Sequence, residues 1–334
     1  MATDQHEEVV DGRRTMTGGH RPLLEAGFAV ALVNLRGTGV REGCILWGAP
    51  QDSEDVSLVI QTLAEQPWSN GAVGMVGTSY PGWTQYMALA AKPPALKAVI
   101  PVSGVIDLHS LLSRNGASLS IGPVVTTQWH ALYSLGEATY LPTDPRAGTV
   151  NHAECGGRVA ADAGESAALY AVGDRSAFWE ARDLRDAIAT SDVPILFTNG
   201  LTDGEGHILQ FEGLWESIPH QDKRMMIGQW GHGGTDHPSG DWALMRVAWF
   251  DHWLRGGPLQ VETGIVEYQD DTGEWHTTDR WPPERSDTTL YFSDATIVSD
   301  PSEVKAATQT FQAIHANPCP GLCTSYLEET PNLP

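Results

Sequence analysis

The sequence feature that most limits the fold is a strand, a tight turn and a helix in direct succession at residues 72–92. "AVGMVG" is a short apolar run typical of a buried strand, "TSYPG" places a serine among small residues, and "WTQYMALAAK" has a helical composition. Further units of the same kinds lie on both sides of it. Residues 28–35 and 96–104 are apolar runs that predict strands, and residues 53–66 have one apolar face that predicts a helix, with Ser53 as its expected N-cap. This βαβαβ series predicts a parallel sheet wrapped by helices.

The pattern loosens after this series and resumes further along the chain. An insertion of this length between two strands usually forms a lid over the site, and strands return as "VPILFTNG" and "KRMMIGQW", followed by the helix "WALMRVAWFDHWLRG". After Gly257-Pro258 the sequence is typical of β-hairpins. We therefore predict four segments: a first core part at 1–106 whose N-terminal strands are missing, a helical cap at 107–187, a second core part at 188–257, and a partial jelly-roll-like β domain at 258–334.

Charge and cysteine usage exclude several classes of protein. The 42 acidic residues against 20 basic ones give a net charge of -22, which repels phosphate backbones and anionic lipid, so we expect neither nucleic acid nor a membrane as partner. No apolar stretch approaches the ~18 residues of a membrane span, and no secretion signal opens the chain, so we expect a soluble protein. The four cysteines have no zinc-type spacing, so we expect no metal or other cofactor. Pairing of Cys44 with Cys155 and of Cys319 with Cys323 would indicate secretion, and reduced thiols a cytoplasmic protein; the compartment and a homo-oligomeric state stay open.

The turn at Ser79 matches the nucleophile elbow of α/β-hydrolases. That turn holds a serine in a strained conformation between a strand and a helix, with its hydroxyl facing the pocket. Gly77 fits the usual pattern, whereas Gly82 falls one place late. The backbone N–H of Tyr80, at the start of the helix, is the predicted oxyanion donor.

A serine nucleophile needs a base and an orienting acid, in the chain order Ser, Asp or Glu, His. Asp203 and His232 each follow a predicted strand by a few residues, which is where active sites on such sheets gather. Glu205 is an alternative acid, and His207 and His237 are alternative bases.

Several segments in order resemble one family. "VNLRGTGVREG", "GTSYPGW", "FTNGLTDG", "IGQWGHGG" and "WFDHWLRG" are similar to the cocaine esterase and X-Pro dipeptidyl-peptidase group, the CocE/NonD hydrolases of the S15 peptidase type. The resemblance implies Ser79 as nucleophile, Asp203 as orienting acid, His232 as general base, a helical cap and a C-terminal jelly roll. It also implies Asp and Ser where this chain has Asn34 and Val40, and an upstream tyrosine as second oxyanion donor, whereas the first tyrosine here is Tyr80.

Two hypotheses on function follow. The first is a serine hydrolase that cleaves small acyl esters or amides, with an X-Pro dipeptidyl-peptidase or an amino-acid ester hydrolase as alternatives. The second is a truncated relative that binds a ligand or a partner without competent chemistry. An ammonium-bearing substrate would need a carboxylate, for which Glu205 or Asp107 is the candidate, with a loop or helix-capping role as the alternative for each. Four aromatic residues are candidates to line the substrate pocket, with simple packing as the alternative: Trp83, Trp129, Tyr133 and Trp179.

Overall fold

The computed structural model describes the greater part of the chain in several stretches. The described residues are 7–10, 13–16, 20–37, 43–44, 46–114, 117–118, 175–233, 242–284, 286, 288–294 and 296–305. They form two compact units, residues 1–281 and residues 282–334. Each unit is described by itself below.

Short strands and helices alternate along the first unit. Its strands are β1 (Glu7–Val10), β2 (Arg13–Met16), β3 (Val73–Thr78), β4 (Leu96–Val102), β5 (Ser113–Arg114), β6 (Ala117–Ser118), β7 (Ile195–Gly200), β8 (Lys223–Gly228), β9 (Ile265–Gln269) and β10 (Trp275–Thr278). Its α-helices are α1 (Arg21–Glu25), α2 (Pro50–Ala64), α3 (Tyr80–Ala91), α4 (Leu108–Leu112), α5 (Ala177–Glu180), α6 (Arg185–Ala189), α7 (Leu214–Ser217) and α8 (Trp242–Arg255). A 3-10 turn covers His207–Gln210. In the part of the chain that the structure describes, no helix is long and apolar enough to cross a bilayer.

The centre of this unit is a six-stranded sheet with the order β10-β9-β8-β7-β4-β3. Strands β3, β4, β7, β8 and β9 are parallel, and only β10 runs antiparallel. A parallel sheet needs both faces covered, and successive side chains on its strands point to opposite faces. On β4, Val99 packs in the cluster that contains α2 and α3, while Ala98 and Ile100 pack in the cluster that contains α1 and α8. The parallel sheet wrapped by helices that the βαβαβ series predicts is confirmed.

Two local predictions from the sequence were wrong. Residues 28–35, the first predicted strand, form no regular strand, and Leu32 is exposed. A strand requires a hydrogen-bonding neighbour, and among the described residues no strand pairs with 28–35, so that β3 is the last strand of the central sheet. Ser53 does not cap helix α2, because the helix begins at Pro50, whose fixed φ suits the first turn, and Ala49 is the N-cap.

The predicted hairpin after Pro258 is present, but it lies in the central sheet. Strand β9 pairs parallel to β8 and antiparallel to β10, with Met226 opposite Glu267 in the register of β8 and β9. The boundary between the two compact units falls at Trp281–Pro282, later than the predicted boundary at residue 258. Near the end of the predicted cap, the chain forms two short helices, α5 and α6.

The second unit contains one hairpin among its described residues. Strands β11 (Tyr291–Ser293) and β12 (Thr296–Val298) pair antiparallel, and a 3-10 turn covers Pro301–Glu303. The hydroxyl of Ser293 accepts a bond from the Lys305 N–H and donates to the Glu303 carbonyl, which joins the segment after the 3-10 turn to β11. The jelly-roll assignment stays a prediction, and most of the predicted cap lies outside the described residues.

Candidate active site

Ser79 occupies a strained turn between β3 and α3. Its φ of 63° and ψ of −119° lie in a region that residues with a side chain rarely adopt. The turn is fixed from both sides, because the Ser79 N–H donates to the Val102 carbonyl at 2.8 Å and the Trp83 N–H donates to the Ser79 carbonyl at 2.9 Å. This is the backbone geometry of a nucleophile elbow.

Two glycines allow this turn to form. A side chain on Gly77 would overlap the ring of Pro81, and a Cβ on Gly82 would lie 2.8 Å from the Gly104 Cα. Gly82 therefore lets the first turn of α3 approach the end of β4. The glycine that falls one place late in the sequence serves the close packing of helix on strand.

Asp203 and His232 are in contact at the ends of neighbouring strands. Asp203 follows β7 and His232 follows β8, and the Asp203 Oδ2 lies 3.1 Å from the His232 Nδ1. An ionised carboxylate can only accept, so Nδ1 donates and Nε2 keeps its lone pair. Because Ser79 follows the parallel strand β3, all three residues lie at the carboxyl edge of the sheet.

Backbone contacts hold the two loops together. The Thr202 N–H donates to the Trp230 carbonyl at 3.1 Å and the Leu201 N–H donates to the Gly228 carbonyl at 2.8 Å. A side chain on Gly200 would overlap the Trp230 carbonyl oxygen. The acid and the histidine are thus placed by rigid backbone, which is the support that a catalytic pair requires.

The environments of Asp203 and His232 shift their pKa values in opposite directions. Burial would lower the pKa of His232, but the hydrogen bond with Asp203 and the charges of Glu205 and Asp203 outweigh it and raise the net pKa above 6.5. Burial would raise the pKa of Asp203, but the hydrogen bond with His232 and the nearby His207 and His232 charges lower the net pKa below 3.8. The pair therefore favours an ionised Asp203 and stabilises a positive charge on His232.

Glu205 and His207 lie beside this pair. The Glu205 Oε2 is 3.2 Å from the His207 Nε2 and 3.8 Å from the His232 Nε2. The rings of His207 and His232 are 5.1 Å apart between centroids, and His207 is buried. Of the two alternative bases, His207 is hydrogen-bonded to Glu205, and His237 lies outside the described residues. The structure brings Asp203, rather than Glu205, to Nδ1 of His232.

Asp107 has a structural position. It is fully buried, caps α4 by accepting from the His109 and Ser110 N–H groups, and forms ion pairs with Arg175 at 3.2 Å and Arg185 at 2.7 Å. Its carboxylate is thus fully engaged by the protein. The helix-capping alternative therefore describes Asp107 in the structure, and Glu205 is the carboxylate considered below for a substrate ammonium.

The predicted aromatic pocket residues divide into two groups. Trp83 and Trp179 are 1% and 2% exposed and belong to the main hydrophobic cluster. Trp83 meets the ring of Tyr80 edge to face, at 5.4 Å between centroids. In the structure these two tryptophans pack in the hydrophobic core, as the alternative interpretation has it. Their role in a substrate pocket stays a prediction. Trp129 and Tyr133 lie outside the described residues.

Sequence reasoning missed a buried clamp next to the elbow. The guanidinium of Arg182, just after α5, donates to the Leu46 and Trp47 carbonyls at 2.8 Å each. Trp47 in turn meets the Tyr80 ring edge to face, at 6.1 Å between centroids. Arg182 thus holds the loop that supports the residue next to Ser79. Contacts between residues 135 positions apart leave no periodic signal in a sequence.

Cys44 is disulfide-bonded in the structure. The other three cysteines, Cys155, Cys319 and Cys323, lie outside the described residues, so the predicted pairings stay predictions. The disulfide at Cys44 agrees with the alternative in which this cysteine is paired and not reduced.

The sheet and the site together define an α/β-hydrolase-type protein. Comparison with known proteins narrows this class: residues 3–234 match the X-Pro dipeptidyl-peptidase (S15) family. The chain belongs to that family, which confirms the resemblance in the sequence.

Individual relatives agree with this assignment. A Bacillus anthracis protein, provisionally named as an Xaa-Pro dipeptidyl-peptidase, is 27% identical over 278 residues, covering 77% of this chain and 43% of the relative. The cocaine esterase of a Rhodococcus species is 26% identical over 301 residues, covering 77% of this chain and 51% of that enzyme. The chain spans about half the length of the curated relatives that it matches.

Solved structures support the fold. An aminopeptidase from a marine sediment Thaumarchaeota archaeon superimposes with a TM-score of 0.63 at 21% identity, over 84% of this chain and 53% of that one. An alpha-amino acid ester hydrolase gives a TM-score of 0.60 at 21% identity, over 87% of this chain and 55% of that one.

Proposed function

We propose that this chain is a serine hydrolase that cleaves esters or amides of small acyl groups through an acyl-enzyme. The observation that carries the proposal is the Asp203–His232 contact at the same sheet edge as the strained turn of Ser79. Family membership supports a hydrolytic role. The proposed partner is a small ester, amide or peptide, and the reaction as written needs no cofactor.

The proposed reaction follows from the free lone pair of His232. The Ser79 hydroxyl oxygen forms a bond to the substrate carbonyl carbon while the His232 Nε2 takes its proton. The same proton then passes to the leaving alcohol or amine as its bond to carbon breaks. A water molecule repeats the two steps on the acyl-serine and releases the acid. Asp203 fixes the tautomer of His232, and the Tyr80 N–H stabilises the oxyanion.

Covalent labelling tests the nucleophile. A fluorophosphonate probe should label the wild-type chain at one site, and p-nitrophenyl butyrate should give a burst of product, because an acyl-enzyme accumulates. Ser79→Ala should lose both. Ser217→Ala is a matched control, since within the described part of the chain its hydroxyl bonds only the Leu214 carbonyl on helix α7. Labelling that survives Ser79→Ala would remove Ser79 from the mechanism, and absence of labelling in the wild type would favour the binding-protein hypothesis.

Glu205 supports a second candidate, a substrate that carries an ammonium group. Its carboxylate is about one-third exposed and lies 3.8 Å from the His232 Nε2, so it could pair with an X-Pro dipeptide or an amino-acid ester. Several relatives are named as dipeptidyl-peptidases. Glu205→Gln should then raise KM for an Ala-Pro arylamide roughly 10-fold or more and leave KM for the uncharged butyrate ester unchanged. An equal change in KM for both substrates would indicate that Glu205 does not recognise the ammonium group but supports the catalytic residues.

A further inference from the structure

Asp203, His207 and His232 form a cluster of metal-ligating groups. One ligand atom from each lies within 4.8 Å of the other two. Asp203 and His207 are buried, whereas the side chain of His232 is 21% exposed and opens the cluster to solvent. Two histidines and one carboxylate are a donor set that suits zinc and similar divalent cations.

The hydrogen bonding of His207 leaves one of its nitrogens available. The His207 Nε2 lies 3.2 Å from the Glu205 Oε2, and because a carboxylate only accepts, Nε2 carries the proton. The neutral ring then has its lone pair on Nδ1, which is buried and has no hydrogen-bond partner among the described residues. A buried lone pair without a donor is unfavourable, and a bound cation is one way to satisfy it.

We infer that His207, His232 and Asp203 bind a divalent transition-metal cation such as zinc, with Glu205 supporting His207 from behind. A metal-bound histidine usually donates its other ring N–H to a carboxylate, which is the arrangement of His207 and Glu205. Tetrahedral zinc requires ligand atoms ~3.3 Å apart at bond lengths of ~2.0–2.2 Å. The Asp203 Oδ2 and the His232 Nδ1 are already 3.1 Å apart, and the separations within the cluster, at most 4.8 Å, must close by up to about 1.5 Å through side-chain rotation.

The consequence for activity rests on the proposed function. If zinc takes Nε2 of His232, the lone pair that accepts the Ser79 proton is lost. If zinc takes Nδ1, the proton shared with Asp203 is displaced and the ring is no longer oriented by that bond. In both cases the cation blocks the base. The site is therefore inhibitory and differs from a resident catalytic metal, which the sequence does not predict.

Binding is tested on the Ser79→Ala chain, where catalysis plays no part. After removal of metal with a chelator, zinc titration by calorimetry should give one site per chain, and cobalt should give the visible absorption of a low-symmetry site. His207→Gln should weaken zinc binding at least ~10-fold, and Glu205→Gln should weaken it by ~10- to 100-fold. His220→Gln is the matched control, since His220 precedes β8 at the opposite edge of the sheet. Equal affinity with and without His207, or no binding at all, overturns the inference.

Activity is the second readout, measured on the chain with Ser79 intact. Zinc should inhibit ester hydrolysis, and a chelator should restore it. For His207→Gln, the zinc concentration that halves the activity, measured against that variant's own rate without zinc, should rise at least ~10-fold. Zinc binding through His207 in a chain without esterase activity would refute the proposed function alone. Activity that zinc does not inhibit, with no calorimetric site, would refute the metal site alone. If His207→Gln does not fold, as checked by thermal melting, Glu205→Gln decides the binding arm.

Discussion

Gly82→Ala should slow the acylation of Ser79 while the fold is retained. An added Cβ would lie 2.8 Å from the Gly104 Cα and 2.9 Å from the Val102 carbonyl oxygen, whereas ordinary contact begins at 3.4 Å. Both neighbours are backbone atoms at and just past the end of β4, so neither can rotate away. The first turn of α3 has to move instead.

The size of the effect follows from that shortfall. Helix α3 must retreat by about 0.6 Å, the difference between 3.4 and 2.8 Å, and Ser79 and the Tyr80 N–H move with its first turn. A misplacement of about 1 Å costs roughly 100-fold in rate, so we expect a loss of about 10-fold or more. Overpacking of this kind also destabilises a fold by about 1–3 kcal/mol.

The assay is the second-order rate of fluorophosphonate labelling, with thermal melting of the same samples. Gly204→Ala is the matched control, because an added Cβ there meets nothing within 4 Å and Gly204 has no positive φ. We expect the control to label and melt close to the wild type. A Gly82→Ala chain that labels at the wild-type rate would refute the argument that this glycine sets the elbow.

Three further predictions follow from the same structure. The kcat/KM of ester hydrolysis should rise with pH through an apparent pKa above 6.5, because His232 must be neutral to accept a proton and its net pKa is raised; a flat profile from pH 5 to 8 would contradict a histidine base. Burial, opposed by the Gly48 N–H, raises the pKa of Asp52 from 3.8 to about 6, so Asp52 contributes stability that is present below pH ~4 and lost as pH rises through 6, by at most about 3 kcal/mol. Asp52→Asn should lack this loss in urea unfolding between pH 4 and 7, and a constant difference between the two chains would show that Asp52 does not titrate there. If the predicted cap encloses the site, acetyl and butyryl esters should exceed octanoyl esters by at least ~10-fold in kcat/KM, and a preference for octanoate would exclude a closed cap.

The family, the sheet and the nucleophile elbow could be predicted from the sequence because each depends on residues that are close together in the chain. The strands β3, β4, β7 and β8 are apolar runs bounded by turn residues, and their order predicts a parallel sheet. Ser79 stands between small residues at a strand-to-helix turn, and a turn of this kind leaves a short signal in the sequence. The positions of Asp203 and His232 followed from the rule that loops after parallel strands meet at one edge.

Tertiary structure decided what depends on neighbours distant in the chain. The run at 28–35 has the composition of a strand, yet it pairs with none of the described strands and so forms no ladder. The hairpin of β9 and β10 has a sequence typical of a separate β domain, yet β9 pairs with β8. Strand pairing depends on which sheet edge is free, here that of β8, and not on composition. In the sequence, Asp107 is a candidate carboxylate for a substrate ammonium group. In the structure, Arg175 and Arg185 form ion pairs with it. The Arg182 clamp and the cluster of His207 with Asp203 and His232 arise only when loops from different strands are brought together, because a sequence records residue types and spacing, whereas side-chain chemistry depends on distances of a few ångströms.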